Sequence, residues 1–381
     1  MDARRFEPRI RALFAENFAE YRELGASVAI WEKGQEILSL ADGFRDRQKT
    51  ERWDANTPVL FWSATKGLAA ACLLHACQES GTKLESRVAE KWPEFAANGK
   101  GEVTIAELLS HQSGLPALSR GVSVFDYDGV VSALTGEAPQ WPRGMGHGYH
   151  PRTFGFLVDE LLRRIAGVTL REYWRISFAG PLQLDLWIGI DPARTGQVAP
   201  IFASRTPPPQ DDPFYAAFFT PNSLTARAFA SPRGLHRAAE LNTVEARTTS
   251  FPAFGGIGTA RSLAKFYAML ADGGTFEGRR FFAPDTHRAM TTILTQGHDR
   301  VLQVETAFSA GYMLDPLDRD DCKLRGMFGP SPRAFGHPGA GGSHAFADPE
   351  NGLAFAYVMN QMEPGVLPNA KSLRLIDALY A

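Results

Sequence analysis

Three places in this 381-residue chain set a serine hydroxyl three positions before a lysine amine: Ser63/Lys66, Ser80/Lys83 and Ser262/Lys265. On a helix that spacing puts both side chains on one face, a turn apart. In apolar surroundings burial lowers the amine's pKa, and a neutral amine can take the hydroxyl proton and make the serine a nucleophile. Surroundings separate the three pairs. Ser80 runs into Gly81, a helix stop, so that pair straddles a turn. Over residues 259–270 the stripe of Leu263, Phe266, Tyr267 and Leu270 faces the core and leaves Ser262 and Lys265 off it. Only Ser63 and Lys66 have apolar sequence on both sides. An N-cap serine followed by a snorkelling lysine is the plainer role for such a pair, and the pair alone leaves both roles open.

The elements that must position this pair can be read outward from it. Ala, Leu and Cys dominate the residues after Ser63 and no proline interrupts them, which predicts a buried helix beginning near Ser63. The hydroxyl would then lie where unpaired N–H groups and the positive end of the helix dipole gather. Upstream, residues 7–23 have the pattern of an amphipathic helix, and 26–31 and 35–40 that of a hairpin. Downstream, 81–95 is a surface connection anchored by Leu84, Val88 and Trp92; Thr104 and Glu107 form a capping box. Residues 116–148 are turn-rich, and a helix spans about 153–165, closed by Gly167. Periodicity fades over 191–255, where 206–213 must be an extended loop. A helix from Thr259, strand-like runs at 335–337, 344–347 and 353–359, and a closing helix at 369–380 complete the chain. Strands at both ends imply one sheet built from the two termini: residues 1–75 and 250–381 form an α/β domain, and 76–249 a helical, loop-rich insertion. That placement brings the segment after Arg333 beside Ser63.

Bulk properties narrow the function classes. Hydrophobic content of 44% and charged content of 22% suit a soluble globular protein. A net charge of −2 gives no reason to expect nucleic acid or an anionic membrane as partner. No segment is long enough to span a bilayer, and the first ten residues lack the apolar core of a signal peptide, so a cytoplasmic location is expected. Cys72, Cys77 and Cys322 show no metal spacing, and the first two are expected as buried free thiols.

Five motifs occur in order: Ser63-Ala-Thr-Lys66, Leu108-Leu-Ser-His-Gln-Ser-Gly-Leu115, Gly148-Tyr-His150, Gly255-Gly-Ile-Gly-Thr-Ala260 and Phe335-Gly-His-Pro-Gly-Ala-Gly-Gly-Ser343. Together they resemble the serine hydrolases of the class C β-lactamase and D-alanyl-D-alanine peptidase family, closest to its esterase-like members, the family VIII carboxylesterases. The resemblance runs from about residue 26 to 360. It implies an α/β (α+β) fold, an antiparallel sheet flanked by helices with a mainly helical inserted lobe. It implies Ser63 as nucleophile, and Tyr149 as the third catalytic residue, sharing with Lys66 the task of taking the serine proton. It places the oxyanion between the backbone N–H groups of Ser63 and Ala340. His337, Gly339 and Gly341 are then the substrate-binding positions of the edge strand, the glycines letting backbone and substrate approach closely. No cofactor or metal is implied.

Two departures point away from lactams. His337-Pro338-Gly339 stands where the lactam-cleaving members carry Lys-Thr-Gly, so the cation that grips a substrate carboxylate is missing. Pro151 stands where they carry an asparagine that reads the substrate amide. Both favour short-chain carboxylic esters as small-molecule substrates. A β-lactamase, a D-amino-acid peptidase or an acyltransferase would use the same serine, and a non-catalytic scaffold would have no need of all three residues. The oligomeric state is not legible. Three decoys are set aside: Gly341-Gly-Ser343-His-Ala345 lacks the last glycine of a nucleophile elbow, His147 and His150 lack a third metal ligand and read as incidental loop histidines, and Gly255–Gly258 lacks the context of a phosphate loop.

Overall fold

The apolar runs at the two ends of the chain pair with one another. In the computed structural model, which describes residues 3–381, Gly25–Glu32 pairs with Gln35–Gly43 on one side and Leu353–Met359 on the other. They belong to an eight-stranded sheet ordered Gln35–Gly43, Gly25–Glu32, Leu353–Met359, His344–Asp348, Phe335–Pro338, Met313–Leu314, Glu305–Phe308 and Thr295–His298. Every neighbouring pair is antiparallel.

Residue size alternates along the central strand, and this decides what covers each face. Leu353, Phe355, Tyr357 and Met359 pack with Phe6, Ile10 and Phe14 of the Ala3–Ala19 helix and with Leu375 and Leu379 of the Ala370–Tyr380 helix. Ala354, Ala356 and Val358 point the other way and pack with Leu263, Phe266 and Leu270 of the Ala260–Ala271 helix. Small residues on that face let the helix lie close; large ones opposite fill the space beneath two helices.

A helix Thr65–Ser80 runs through the middle, buried at twelve of its positions. It packs on Thr153–Ala166 of the inserted segment and touches Phe335–Pro338 of the sheet. A second, three-stranded sheet, Val59–Leu60, Gly256–Gly258 and Leu186–Ile188, ties its entrance to both parts of the chain. Expected helix ends are where the sequence put them: Gly81 and Gly167 are left-handed caps, and Thr104 and Glu107 bond each other's backbone N–H.

Two regions differ from expectation. The sheet continues past Phe335–Pro338 through three short strands over 295–314; alternation of polar and small residues at an edge, as in Thr295–His298, hides that strand in the sequence. Residues 116–148 and 191–255 hold short helices, Tyr127–Gly136, Pro213–Phe219, Leu224–Ala230 and Val244–Thr248. The last three, of five to seven residues, are too short to develop a periodic stripe. Residues 206–212 are free of helix and strand, as their prolines require. Among the described residues no helix is long and apolar enough to cross a membrane.

Candidate active site

The turn that carries Ser63 is wound tightly before the helix begins. Trp62–Ala64 is a 3-10 turn running into Thr65–Ser80, so Ser63 precedes the α-helix instead of opening it. Trp62 has φ of 50°, a left-handed conformation unfavourable for a side chain of its size. The Thr65 hydroxyl donates to the Trp62 carbonyl and accepts the N–H of Gly256 at 2.8 Å; Phe61 N–H reaches the Gly256 carbonyl at 3.0 Å. The small sheet thus holds the strained turn.

Lys66 is completely buried. Its Nζ lies 2.8 Å from the Pro151 carbonyl, 2.9 Å from the Ala253 carbonyl and 3.4 Å from Ser63 Oγ. Burial holds the amine's pKa well below its ordinary value of 10.5. A neutral amine has two N–H donors and one lone pair. Two carbonyls lie within reach of those donors, so in the neutral form the lone pair would be turned to the serine. Pro151, which cannot donate a hydrogen bond, serves through its carbonyl, a role the sequence did not suggest.

Tyr149 lies across from Lys66, whose Nζ sits 4.7 Å from the centre of the phenol ring. Burial pushes the phenol pKa up, and a hydrogen bond with Ser63 offsets part of that shift. The group is therefore a phenol with its proton on. Its backbone N–H is clasped by both oxygens of Asp299, at 3.0 and 3.1 Å. Asp299 is fully buried and also accepts the N–H groups of Val301 and Leu302 and the Thr306 hydroxyl. Phe308 stacks on the Tyr149 ring at 6.3 Å, and His111 meets it edge-on at 5.0 Å. Asp299 and Phe308 lie in or beside the short strands that periodicity did not reveal; the only hint was an aspartate in an otherwise unremarkable turn.

The histidines here are structural braces, not incidental loop residues. His150 donates from Nδ1 to the Gly148 carbonyl and accepts the Leu115 N–H at Nε2, which fixes its tautomer; burial pushes its pKa down to about 3. His147 bridges Thr295 and Thr306. Among the described residues no group of three or more His, Cys, Asp or Glu is placed to hold a metal. Of the other decoys, Ser343 is fully buried, and Gly256–Gly258 is a strand that leads into the Ala260–Ala271 helix. Cys72 and Cys77 are buried free thiols.

Ser63, Tyr149 and Ala340 line one cleft of about 310 Å³. A Cβ on Gly339 would sit 2.2 Å from the Phe61 carbonyl, so only glycine lets this strand close on the serine turn and set Ala340 beside it. The other edge-strand positions lie elsewhere. His337 is not among the cleft's lining residues: it is 2% exposed, donates from Nδ1 to the Pro338 carbonyl, and stands behind Tyr149 with ring centres 5.8 Å apart. Burial pushes its pKa down to about 3. Gly341 packs under Met362, and its N–H goes to the Gly365 carbonyl. These glycines accommodate the protein's own chain. The cleft walls come instead from Trp62, Phe254, Leu235 and the aromatic residues of the two short helices Pro213–Phe219 and Leu224–Ala230.

This architecture, with its inserted helical lobe, is the β-lactamase and penicillin-binding-protein fold. The chain belongs to the beta-lactamase family, whose sequence pattern matches residues 10–379. It is 33% identical over 371 residues to Esterase/beta-lactamase LipL of Mycobacterium tuberculosis, covering 94% of this chain and 82% of that protein. Among solved structures it is similar to a penicillin-binding protein homolog from Caulobacter crescentus, with a TM-score of 0.86 and 35% identity over 97% of this chain and 95% of the other. A family VIII carboxylesterase gives a TM-score of 0.85 and 31% identity over 97% and 96% of the two chains.

Proposed function

We propose that this protein is a serine carboxylesterase that cleaves short-chain esters through an acyl-enzyme on Ser63. The observation that carries the reading is the Lys66 amine, buried, with two carbonyls within reach of its donors and 3.4 Å from Ser63 Oγ. The named esterase relatives support the substrate class. Lys66 takes the Ser63 proton as Oγ attacks the ester carbonyl. The oxyanion is met by the N–H groups of Ser63 and Ala340, a contact typically worth ~3 kcal/mol per donor. Tyr149, a phenol hydrogen-bonded to the serine, passes a proton to the departing alkoxide and regains one from Lys66. Water then attacks the acyl-enzyme, with the same groups working in reverse.

Esters are favoured over lactams because the cleft offers no free cation to a substrate carboxylate. Arg152 is the cation that lines it, and its guanidinium bonds the carbonyls of Phe229, Gly234 and Leu235. The test is labelling with a fluorophosphonate and peptide mapping, followed by a kinetic panel of esters, penicillins, cephalosporins and D-alanyl peptides. Modification is expected at Ser63 and absent in Ser63→Ala. Esters are expected to lead in kcat/KM by at least about tenfold, the ratio carried by 1.4 kcal/mol. Labelling at Ser343, or faster turnover of a lactam or D-amino-acid amide than of every ester, would overturn the assignment.

A further inference from the structure

The polar residues lining the cleft are nearly all engaged before any substrate arrives. Arg152 is tied to carbonyls of 229–235 and to His236 Nδ1, and its guanidinium lies 5.0 Å over the Phe254 ring. Glu363 pairs with Lys371 at 2.9 Å. Ser204 bonds both the carbonyl and the N–H of Thr206, and Tyr215 Oη accepts the Gly365 N–H at 2.6 Å. Beyond the candidate catalytic groups and the unbonded, buried Arg152 Nε and Trp62 Nε1, what remains for a ligand is apolar surface, aliphatic at Leu235, Met362 and Val366 and otherwise mostly rings. The rings are those of Trp62, Phe254 and the cluster of Phe214, Tyr215, Phe218 and Phe229.

That cluster is ordered, not merely greasy. Phe214 and Phe218 each meet Phe229 edge to face, at 5.3 and 5.7 Å. A further ring can extend such a pattern, because its positive edge finds a negative face, whereas a saturated ring of the same size gains only its apolar burial. A cleft near 310 Å³ sits at the small end of the volumes that hold organic ligands, and suits one ring plus an ester group better than a long chain. We infer that the preferred substrates are esters carrying one aromatic ring, on the alcohol or the acyl side, seated against the wall of Phe214, Phe218 and Phe229. This deepens the esterase reading and rests on it.

Binding is measured by calorimetry on Ser63→Ala, which turns nothing over. The probes are benzyl acetate against cyclohexylmethyl acetate for the alcohol side, and ethyl phenylacetate against ethyl cyclohexylacetate for the acyl side. One pair is expected to favour the aromatic member by about fivefold, the ratio that ring–ring contacts typically supply beyond burial. Which pair responds identifies the side. Phe218→Leu and Phe229→Leu, each half-buried and introduced separately on the Ser63→Ala background, should bring the ratio below twofold. Equal binding within both pairs, or a preference that survives both leucine variants, overturns the inference and leaves the esterase reading intact. A wild-type protein that cleaves no ester overturns the esterase reading and this inference with it, an outcome distinct from equal binding by a protein that does cleave esters.

Discussion

At Lys66 burial removes the water that would support a charge, and the nearest groups are two carbonyls, a hydroxyl and a ring face. The sign of the pH effects follows. In the proposed mechanism Lys66 acts as the neutral amine, so kcat/KM should fall as pH drops through the lowered folded value, giving an acidic limb that belongs to the Lys66–Tyr149 pair. Lys66→Ala and Tyr149→Phe should each lower kcat by about 10²-fold or more with smaller changes in KM. A Tyr149→Phe enzyme with near-native turnover would reduce Tyr149 to a wall of the cleft. Stability carries the same signature. Between the folded value and 10.5 the unfolded chain binds a proton that the folded chain does not, so stability rises with pH across that window. Lys66→Met should lack this slope whatever its absolute stability, which urea midpoints at several pH values between 7 and about 10 would reveal.

At the scale of elements, the serine helix and the far edge of the sheet each brace one half of the proposed catalytic pair, Lys66 and Tyr149. Gly67 follows Lys66 directly, and a Cβ there would stand 2.3 Å from the buried Tyr267 hydroxyl. Alanine favours helices, yet Gly67→Ala should destabilise by about 1–3 kcal/mol through overpacking, measured by denaturant unfolding. Asp299, between the strands Thr295–His298 and Glu305–Phe308, holds the backbone of Tyr149. Asp299→Asn should cost kcat roughly tenfold or more, as misplacing a catalytic group does, with little change in KM. On a Tyr149→Phe background it should cost much less, since the two act through one group; a full additive loss would show that Asp299 matters only for folding. These two braces also mark where the sequence stopped being readable. Ser63, Lys66, the hairpin, the central strands and both terminal helices carry strong local patterns, because each buries a long periodic face. Asp299 follows a strand of four residues, and the aromatic walls at Phe214, Phe218 and Phe229 lie in helices of seven, where a period cannot repeat. The role of Asp299 comes from a contact across 150 positions of chain, that with Tyr149, which one sequence does not encode visibly. That the edge-strand residues His337 and Gly341 fall outside the cleft lining is not legible in the sequence for a related reason: a motif shows which backbone is shared, not which way each side chain faces.

Over the whole molecule the folded chain keeps a set of imidazoles neutral that the unfolded chain would protonate. Burial pushes His150, His337 and His344 from 6.5 down to about 3, and holds His111 well below its ordinary value. For His150, His337 and His344 the unfolded state binds the extra proton between about 3 and 6.5, so stability falls as pH falls through that window, by up to about 1.4 kcal/mol per pH unit per group, and His111 acts in the same sense. Buried Glu23 and Asp159 act in the opposite sense: burial raises their pKa, and the folded state holds a proton there that the unfolded state releases. Burial lowers His75, His147, His236 and His287 as well, so with eight imidazoles against these two carboxyls net proton uptake on unfolding should persist between pH 6 and 4 and the protein should lose stability steadily on acidification. His344 allows a clean check, because it sits under the terminal helices among Phe328, Phe346 and Phe355, with its Nε2 unbonded and Nδ1 beside the Ser372 hydroxyl at 3.2 Å. A phenylalanine there keeps the ring contacts and removes the titrating group. His344→Phe should therefore retain esterase activity while lowering the proton uptake, read from denaturation midpoints at pH 6, 5 and 4, by about one. If its acid sensitivity matches that of the wild type, the imidazole at 344 is already charged in the folded state and the aromatic layer accommodates an ion.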